Sequence, residues 1–327
     1  MTNPEPIADE LDIHTLSPHL RSPEAAVEYL ERLRWPEAHT CPKCGESDRK
    51  PYFLRWTGTK RKLWKCAACR AQYTVTVGTI FEDSKITLDK WLLAFHLLCS
   101  SKKGISALQI QRMLKLGSYR TALFMCHRIR WAMTEPAVTE LLSGVVEADE
   151  TYIGGKVRNK RKRYQGVKRT GRGTGKSPVM VLVERNGRAR SAHVANVTAA
   201  ELKGVIRKHV ARSAKIMTDA YPSYRGLEHE FATHEVVNHQ DFEYVRGDVH
   251  TNTAENFFSI LKRGINGTYH HVSEAHLHRY LSEFDFRYNN RSANGVDDAE
   301  RTRRAIAGAV GKRLMYADSS QRGSEWS

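Results

Sequence analysis

Apolar side chains recur with helical spacing through the first part of the chain. The stretch 23–34, PEAAVEYLERLR, predicts a short amphipathic helix. Further on, ITLDKWLLAFHLLCSS carries an apolar stripe on one helical face, made of Trp91, Leu92, Phe95, Leu98 and Cys99. A stripe of this kind is stable only when it packs against another element, so this second helix is predicted to belong to a core.

The next helical pattern is interrupted by a glycine turn. In GISALQIQRMLKLGSYRTALFMCHRIRWAM, Ser106 and Gln109 have the spacing of a capping box, and KLG predicts a turn. The second helix has an apolar stripe of Ala122, Cys126, Ile129 and Met133. The basic residues off this stripe are Arg120, His127, Arg128 and Arg130. The pattern predicts a helix-turn-helix that contacts DNA through Arg120 and Arg128, with an ordinary helical hairpin as the alternative.

From residue 145 onwards the apolar period becomes that of strands. In VVEADETYI, alternation puts Val145, Glu147, Asp149 and Thr151 on one face. PVMVLVERNGRARSAHVANV predicts a hairpin with a type I′ turn at Asn186-Gly187. A helix that begins after Thr198, a strand that ends at Asp219, the strand THEVVNH and two further helices follow. This succession predicts an α/β domain on a mixed sheet.

The first of those two helices, in TNTAENFFSILKRG (251–264), combines a core stripe with two charged side chains. Its stripe consists of Ala254, Phe257, Phe258 and Leu261. Glu255 and Lys262 are seven residues apart, which is two helical turns, so they lie on one face. A structural interpretation is that Asn252 caps the helix and Glu255 closes a capping box. The alternative is a metal-binding role for Glu255.

Four of the six cysteines form two matched pairs. Cys41 and Cys44 lie in CPKCG, and Cys66 and Cys69 lie in CAACR, with two aromatic-rich strand candidates between them. This spacing is typical of a zinc ribbon, in which four thiolates complete a tetrahedral shell around one structural Zn²⁺. Four protein ligands leave no open position, so this ion would not be catalytic.

Composition favours a polyanionic partner. Lys and Arg total 52 against 36 for Asp and Glu, which gives a net charge of +16. Ten of these basic residues, with no acid among them, lie in the Gly-rich loop 154–176. The loop is predicted to be a DNA-contacting arm, and its leading residues are Lys156, Arg158, Lys160, Arg161, Lys162 and Arg163. With no run of 18 apolar residues and an acidic start, we expect neither a membrane anchor nor a signal peptide.

Three acids far apart in the chain lie in predicted core elements. Asp149 lies within a strand, Asp219 ends a buried strand, and Glu255 lies in the first turn of a helix. Inward carboxylates on strands are costly unless a cation neutralises them. Two Mg²⁺ ions about 3.5–4 Å apart would do so, and Mn²⁺ would serve equally. The sequence therefore predicts a two-metal site that acts on phosphodiesters.

Several blocks resemble the DDE transposases with an N-terminal zinc ribbon, the ISXO2-like group of bacterial insertion sequences. The blocks are EADETYIGGK, MTDAYPSY, HTNTAENFFSILKRGINGTYHHVSEAHLHRYLSEFDFRYNNR and TVTVGTIFEDSKITLDKW, and the likeness runs from about residue 25 to about 295. It implies a catalytic domain with the ribonuclease H and retroviral integrase fold. It also implies an acidic triad of Asp149, Asp219 and Glu255, with Lys262 as the basic residue after the third acid. Glu147, His250 and Asn252 are accessory candidates, either as alternative metal ligands or as groups that hold the ligands in place.

The expected organisation is a multidomain α/β chain. The predicted segments are a helical lead-in (1–37), the zinc ribbon (38–80), the helix-turn-helix region (85–138), the ribonuclease H-like mixed-sheet domain (144–300), and a C-terminal helix with a disordered tail (301–327).

The predicted function is transposition of an insertion sequence. The protein would bind double-stranded DNA at terminal inverted repeats, hydrolyse a phosphodiester and join the exposed 3′-hydroxyl to target DNA. Holding two ends implies a homodimer or larger assembly, located in the bacterial cytoplasm at the nucleoid. The alternatives are a non-catalytic zinc-ribbon and helix-turn-helix regulator, or a structure-specific nuclease of the same fold.

Overall fold

A computed structural model describes residues 22–135, 140–154, 175–238 and 245–315. The chain divides into two compact units. The first comprises the described residues of Met1–Thr134 and Asn290–Ser320, and the second comprises those of Glu135–Asn289. The basic loop, apart from its ends, and the C-terminal tail lie outside the described residues.

The first unit contains a small sheet and five helices in its described part. Its elements are α1 (Pro23–Arg34), β1 (Tyr52–Trp56), β2 (Lys62–Lys65), β3 (Gln72–Tyr73), α2 (Leu88–Ser100), α3 (Ala107–Met113), α4 (Tyr119–Ala132) and α8 (Asp298–Ala307). The antiparallel order β1-β2-β3 adds a short third strand to the two strands predicted between the cysteine pairs. Glu31 of α1 accepts hydrogen bonds from Lys62 Nζ (3.1 Å) and Trp64 Nε1 (2.8 Å), which attaches the helix to the ribbon.

The helical predictions for this unit are confirmed in their apolar faces. The stripes of α2 and α4 are buried, and the Ser106 hydroxyl accepts the amide of Gln109 at 3.2 Å. α3 and α4 are joined by a short turn in which Lys115 has a φ of 49°. The C-terminal segment returns to this unit, since Arg301 of α8 donates to the Cys99 carbonyl at 3.2 Å. Residues 290–300, which were expected in the catalytic domain, therefore pack with the first unit.

The second unit is a five-stranded mixed sheet with helices on both faces. Its elements are β4 (Val145–Ile153), β5 (Ser177–Glu184), β6 (Ala189–His193), α5 (Ala199–His209), β7 (Lys215–Asp219), β8 (Thr233–Val237), α6 (Asn252–Gly264) and α7 (Glu274–Asn289). The order is β6-β5-β4-β7-β8, with antiparallel pairing on the β5 side of β4 and parallel pairing on the β7 side. This is the predicted ribonuclease H-like architecture.

Alternation along the strands divides the second unit into two cores. Val146 and Ala148 of β4 pack with α5, while Val181 and Val183 of β5 pack with α6 and α7 on the opposite face. Glu147 and Asp149, which are offset by one residue from the α5-facing positions, therefore project towards the α6 side. The entry and exit of this unit meet, since Asn289 Nδ2 donates to Glu135 Oε1 at 3.0 Å.

Two local predictions are wrong. At the hairpin between β5 and β6 only Asn186 has a positive φ, 58°, whereas a type I′ turn needs positive φ at both central residues. The turn instead closes with Gly187 N donating to the Glu184 carbonyl at 3.0 Å. Asn252 does not cap α6: the N-cap residue is Thr251, and its side chain makes no capping hydrogen bond.

Candidate active site and metal centre

The four paired cysteines converge in the first unit. Their sulfur atoms all lie within 4.8 Å of one another, with Cys41 and Cys69 3.9 Å apart and Cys44 and Cys66 3.7 Å apart. Sulfurs about 2.3 Å from a tetrahedral Zn²⁺ are about 3.8 Å apart, so the cluster has the dimensions of a Zn–thiolate site. Amide hydrogen bonds, led by that from Cys69, lower the pKa of Cys66 to about 7 and favour the thiolate. Cys99 and Cys126 are buried elsewhere, as predicted for core thiols.

Two of the predicted acids come from adjacent parallel strands. β4 and β7 pair in register as far as Glu147 and Met217. Asp149 and Asp219 each follow two residues later on their own strand, so they lie on the same face at the same end of the pair. Both are half-buried. The amide of Tyr221 donates to Asp219 Oδ1 at 3.0 Å, which fixes that carboxylate at the strand end.

The field at Asp149 identifies its acidic neighbours. Burial raises the pKa of Asp149 to about 7, with further contributions from Glu150, Asp219 and Glu255, against a hydrogen bond from the Glu150 amide. Carboxylates on β4, β7 and α6 therefore act on one another. Glu150 points to the opposite face, where it accepts a hydrogen bond from Tyr224 Oη at 2.7 Å. The contribution from the neighbouring carboxylates is the part of this shift that a bound cation would relieve.

The third acid and the basic residue lie on the solvent side of α6. Glu255 and Lys262 are both exposed, and Lys262 Nζ is 5.8 Å from the centre of the Phe258 ring. In the described residues, only the four cysteines form a group of three or more possible ligands within 4.8 Å, so the three acids are more widely spaced. Ligands on opposite ions of a two-metal centre are also farther apart, because the ions are about 3.5–4 Å apart and each oxygen is about 2.1 Å from its ion.

The accessory candidates have different surroundings. Glu147 is fully buried, and both of its carboxylate oxygens accept hydrogen bonds, which leaves it without a free oxygen for a metal. Asn252 is exposed at the start of α6. His250 Nδ1 lies 2.9 Å from Arg185 Nη2 and 3.2 Å from Glu147 Oε1, so this ring nitrogen belongs to the Glu147 network.

The structure corrects one predicted DNA contact. Arg128 is only 5% exposed, donates to the Glu82 carbonyl at 2.6 Å and lies over the rings of Trp91 and Phe124. Burial lowers its pKa to about 10, which still leaves it charged at neutral pH. Its position beside the apolar stripe did not indicate how much of the helix the neighbouring elements cover. Arg120 is exposed, whereas Lys156, Arg158 and the other predicted contacts of the basic loop lie outside the described residues.

Two features of the structure were missed in the sequence. One is Arg185, which lies in the β5–β6 turn and reaches Glu147 at 2.7 Å. Nothing in the turn sequence marked it. The other is the exposure of the whole of β1, where the exposed fractions of Tyr52, Phe53, Leu54 and Trp56 are 37–55%. Its aromatic composition was visible in the sequence, but composition alone does not show that a strand is exposed on both faces.

Comparison with known proteins agrees with the architecture. Residues 141–289 match the ISXO2-like transposase domain, and residues 21–72 match the transposase zinc-ribbon domain. The chain is 31% identical over 277 residues to an uncharacterized protein in transposable element ISH50 of Halobacterium salinarum, which covers 81% of this chain and 90% of that protein. The two domains define the class of this protein as the transposases with a zinc ribbon. The chain belongs to the ISXO2-like transposase family.

Among solved structures, one match is a simian T-cell lymphotropic virus intasome in complex with PP2A regulatory subunit B56 gamma. The identity is 13%, the TM-score is 0.27, and the match covers 60% of this chain and 65% of that chain. A similarity this low supports no conclusion about the fold or function of this chain.

Within the described residues, no helix combines the length and apolar character needed to cross a membrane.

Proposed function

We propose that this protein is the DNA transposase of an insertion sequence and that Asp149, Asp219 and Glu255 form its catalytic centre. One observation carries the proposal: Asp149 and Asp219 extend from the same end of two adjacent parallel strands, on the face covered by the helix that bears Glu255. The raised pKa of Asp149 supports it as well, because burial is its main cause and the charges of Asp219 and Glu255 add to it. Three oxygen donors on separate elements suit Mg²⁺ or Mn²⁺ better than softer ions.

The proposed reaction has two phosphoryl-transfer steps. In the first, a water oxygen attacks a phosphorus at the end of the element, the bond from phosphorus to the 3′ oxygen breaks, and a 3′-hydroxyl is released. In the second, that hydroxyl attacks a target phosphorus, and the 3′ oxygen of the target leaves. In each step the attacking oxygen replaces the leaving 3′ oxygen on phosphorus directly. Neither step therefore needs a covalent enzyme intermediate.

The chain's own residues provide positioning and charge. Asp149 and Asp219 present carboxylate oxygens from the same end of two inner strands of the sheet, and Glu255 supplies a third from α6. Two divalent ions held there would activate the attacking oxygen and neutralise the leaving one. Lys262, two helical turns after Glu255, is exposed and suited to a DNA phosphate beside the reacting group.

Three surfaces are proposed to hold DNA. The first is β1, whose exposed aromatic side chains lie in a segment, 49–65, with seven basic residues and no acid. The second is the turn between α3 and α4, where Arg112, Lys115 and Arg120 are exposed. The third is the basic loop 154–176. Cationic side chains supply affinity for any DNA, and the ribbon and helical turn would select the terminal inverted repeats.

The test uses purified protein with the ends of its own element and Mg²⁺ or Mn²⁺. Asp149→Ala, Asp219→Ala and Glu255→Ala should each abolish cleavage and strand transfer while leaving the affinity for the ends within about twofold, because the acids act on the reaction rather than on docking. Glu201→Ala is the control and should retain activity, because Glu201 is an exposed acid on α5, on the opposite face of the sheet from the proposed triad. Strand transfer by Asp219→Ala would refute the assignment.

The same assay separates the two alternatives. Cleavage that depends on the three acids but gives no joined product would indicate a nuclease of this fold. End binding with no metal-dependent chemistry in the wild-type protein would indicate a regulator. The proposed joining of two ends also requires two active sites, so we expect a dimer or a larger assembly on paired ends. The site of action would be cytoplasmic DNA.

A further inference from the structure

The helix that carries Glu255 has no cap of its own. The first turn of a helix leaves backbone amides without partners, and a side chain at the N-cap position usually accepts one of them. In α6 the N-cap residue, Thr251, makes no such bond, and Asn252 is exposed. The amides of Thr253 and Ala254 donate instead to Glu147 Oε2, at 2.7 and 3.1 Å. The cap therefore comes from strand β4, 106 residues earlier.

The other oxygen of Glu147 is also occupied. Glu147 Oε1 accepts Arg185 Nε at 2.7 Å and the Thr253 hydroxyl at 3.0 Å. The side chain is completely buried, so each unmet acceptor would be costly, whereas four donors and the positive end of a helix compensate the charge. An oxygen that is saturated with hydrogen bonds has no lone pair directed at a metal. This network accounts for Glu147 as a structural anion.

Arg185 extends the network to the segment that enters α6. Besides Glu147, it donates to the Asp248 carbonyl at 2.7 Å and to the His250 carbonyl at 3.1 Å. One guanidinium thus joins the end of β5 to the backbone just before the helix. Its planar fork of donors suits several acceptors at once, which a lysine cannot reproduce. The entry segment and the first turn of α6 are therefore fixed to the same two strands.

We propose that Glu147 and Arg185 form a clamp that positions α6, and with it Glu255, against Asp149. Glu147 and Asp149 are two residues apart on one face of β4, so a single strand carries one proposed metal ligand and the anchor of the helix that carries another. Glu147 is then a positioning residue and not a ligand. This inference rests on the proposed function for its effect on catalysis, whereas the clamp itself can be tested without any reaction.

The first measurement is hydrogen exchange at the start of α6, by mass spectrometry of peptides spanning residues 251–258. Glu147→Gln keeps one carbonyl acceptor but offers an amide to Arg185, and Thr253→Val removes only the hydroxyl donor. Both should speed exchange in this segment, by about tenfold for Glu147→Gln and less for Thr253→Val, as expected for the loss of a cap. Thr198→Ala, which removes the cap of α5 in the same unit, is the matched control and should speed exchange only in α5.

The second measurement separates positioning from metal ligation. With element ends and a titration of Mn²⁺, Glu147→Gln should slow cleavage by about 10–100-fold and raise the Mn²⁺ concentration needed for half-maximal rate, with unchanged end binding. Higher Mn²⁺ should restore part of the rate. Arg185→Lys should behave in the same way although it alters no carboxylate. A positioning role predicts this agreement between two chemically different variants.

The outcomes are distinct. Unchanged exchange in residues 251–258 of Glu147→Gln would overturn the clamp. Complete loss of Mn²⁺ binding in Glu147→Gln with unchanged exchange would make Glu147 a ligand and would also overturn it. If the wild-type protein shows no metal-dependent cleavage but the variants do lose protection at α6, the proposed function fails while the clamp is supported.

Discussion

At the scale of single residues, burial decides what a charged side chain does. Arg128 and Glu147 both belonged to sets of functional candidates, and both are buried and hydrogen-bonded to the protein. Asp149 differs because burial raises its pKa to about 7 and the carboxylates around it raise it further, with no cationic group among the causes of the shift. A buried charge that is hydrogen-bonded to the protein belongs to the structure of the fold, whereas a group of neighbouring carboxylates is stabilised when a cation binds between them. The two kinds of residue are indistinguishable in the sequence.

Arg128 offers a direct test of this distinction. Arg128→Ala should lower the free energy of unfolding by about 2–4 kcal/mol, since it removes a charged hydrogen bond and a buried cation–π contact. DNA affinity of the folded fraction should be unchanged. Chemical denaturation combined with a DNA-binding titration measures both quantities.

The matched variant is Arg120→Ala, on the exposed start of the same helix. It should change the free energy of unfolding by less than about 0.5 kcal/mol and weaken DNA binding. The opposite result, normal stability with weak DNA binding for Arg128→Ala, would contradict the burial of Arg128.

At the scale of elements, the four-cysteine ribbon is predicted to depend on a bound zinc ion for its fold. Its apolar core is small, with Cys41, Cys66 and Tyr73 as its buried members, so the metal is expected to supply much of its folding free energy. Removing zinc with a chelator should therefore raise amide exchange throughout residues 41–73. The strands of the second unit, such as β4, should keep their protection because their cores share no residue with the ribbon.

The control for zinc is a cysteine outside the cluster. Cys126→Ala should retain one zinc per chain, while Cys66→Ala should lose it, as measured by elemental analysis of the purified protein. Equal zinc content in the two variants would exclude the four-cysteine site.

Element identity could largely be predicted from the sequence, and the contacts between elements could not. The strand ending at Asp219, the stripe of Phe257 and Phe258, and the cysteine spacing each contain their own evidence, because periodicity and metal-ligand spacing are local. The cap of α6 is not local: TNTAEN offered Asn252 as a cap, but the fold brought Glu147 to the helix instead. The predicted type I′ turn at Asn186 is wrong for a related reason: the Asn-Gly pair alone does not determine the conformation of the turn.

At the scale of the whole molecule, positive charge is concentrated in one segment of the sequence. Ten of the basic residues lie in loop 154–176, which directly follows the strand that carries Asp149. Replacing Lys156, Arg158 and Lys160 by Ala should weaken DNA binding. The slope of log affinity against log salt should become shallower by up to about 2.7, because each phosphate contact contributes about 0.9.

The comparison for this loop is a variant with similar charge loss elsewhere in the second unit. Replacing Lys208, Arg225 and Arg188 by Ala removes three exposed cations and should leave the slope close to that of the wild type. Equal changes in both variants would mean that only total charge matters, and no change in either would remove the loop from the DNA interface.

The return of α8 to the first unit has a consequence for how this gene product tolerates shortening. The chain passes into the sheet-bearing unit near Glu135 and out again near Asn289, and these two side chains are hydrogen-bonded. The second unit is thus an insertion between two segments of the first unit, and 135–289 is the fragment to express by itself. A premature stop just after Asn289 would keep every proposed catalytic acid but remove Arg301 from the first unit. The unit that contains the ribbon would therefore be the one destabilised.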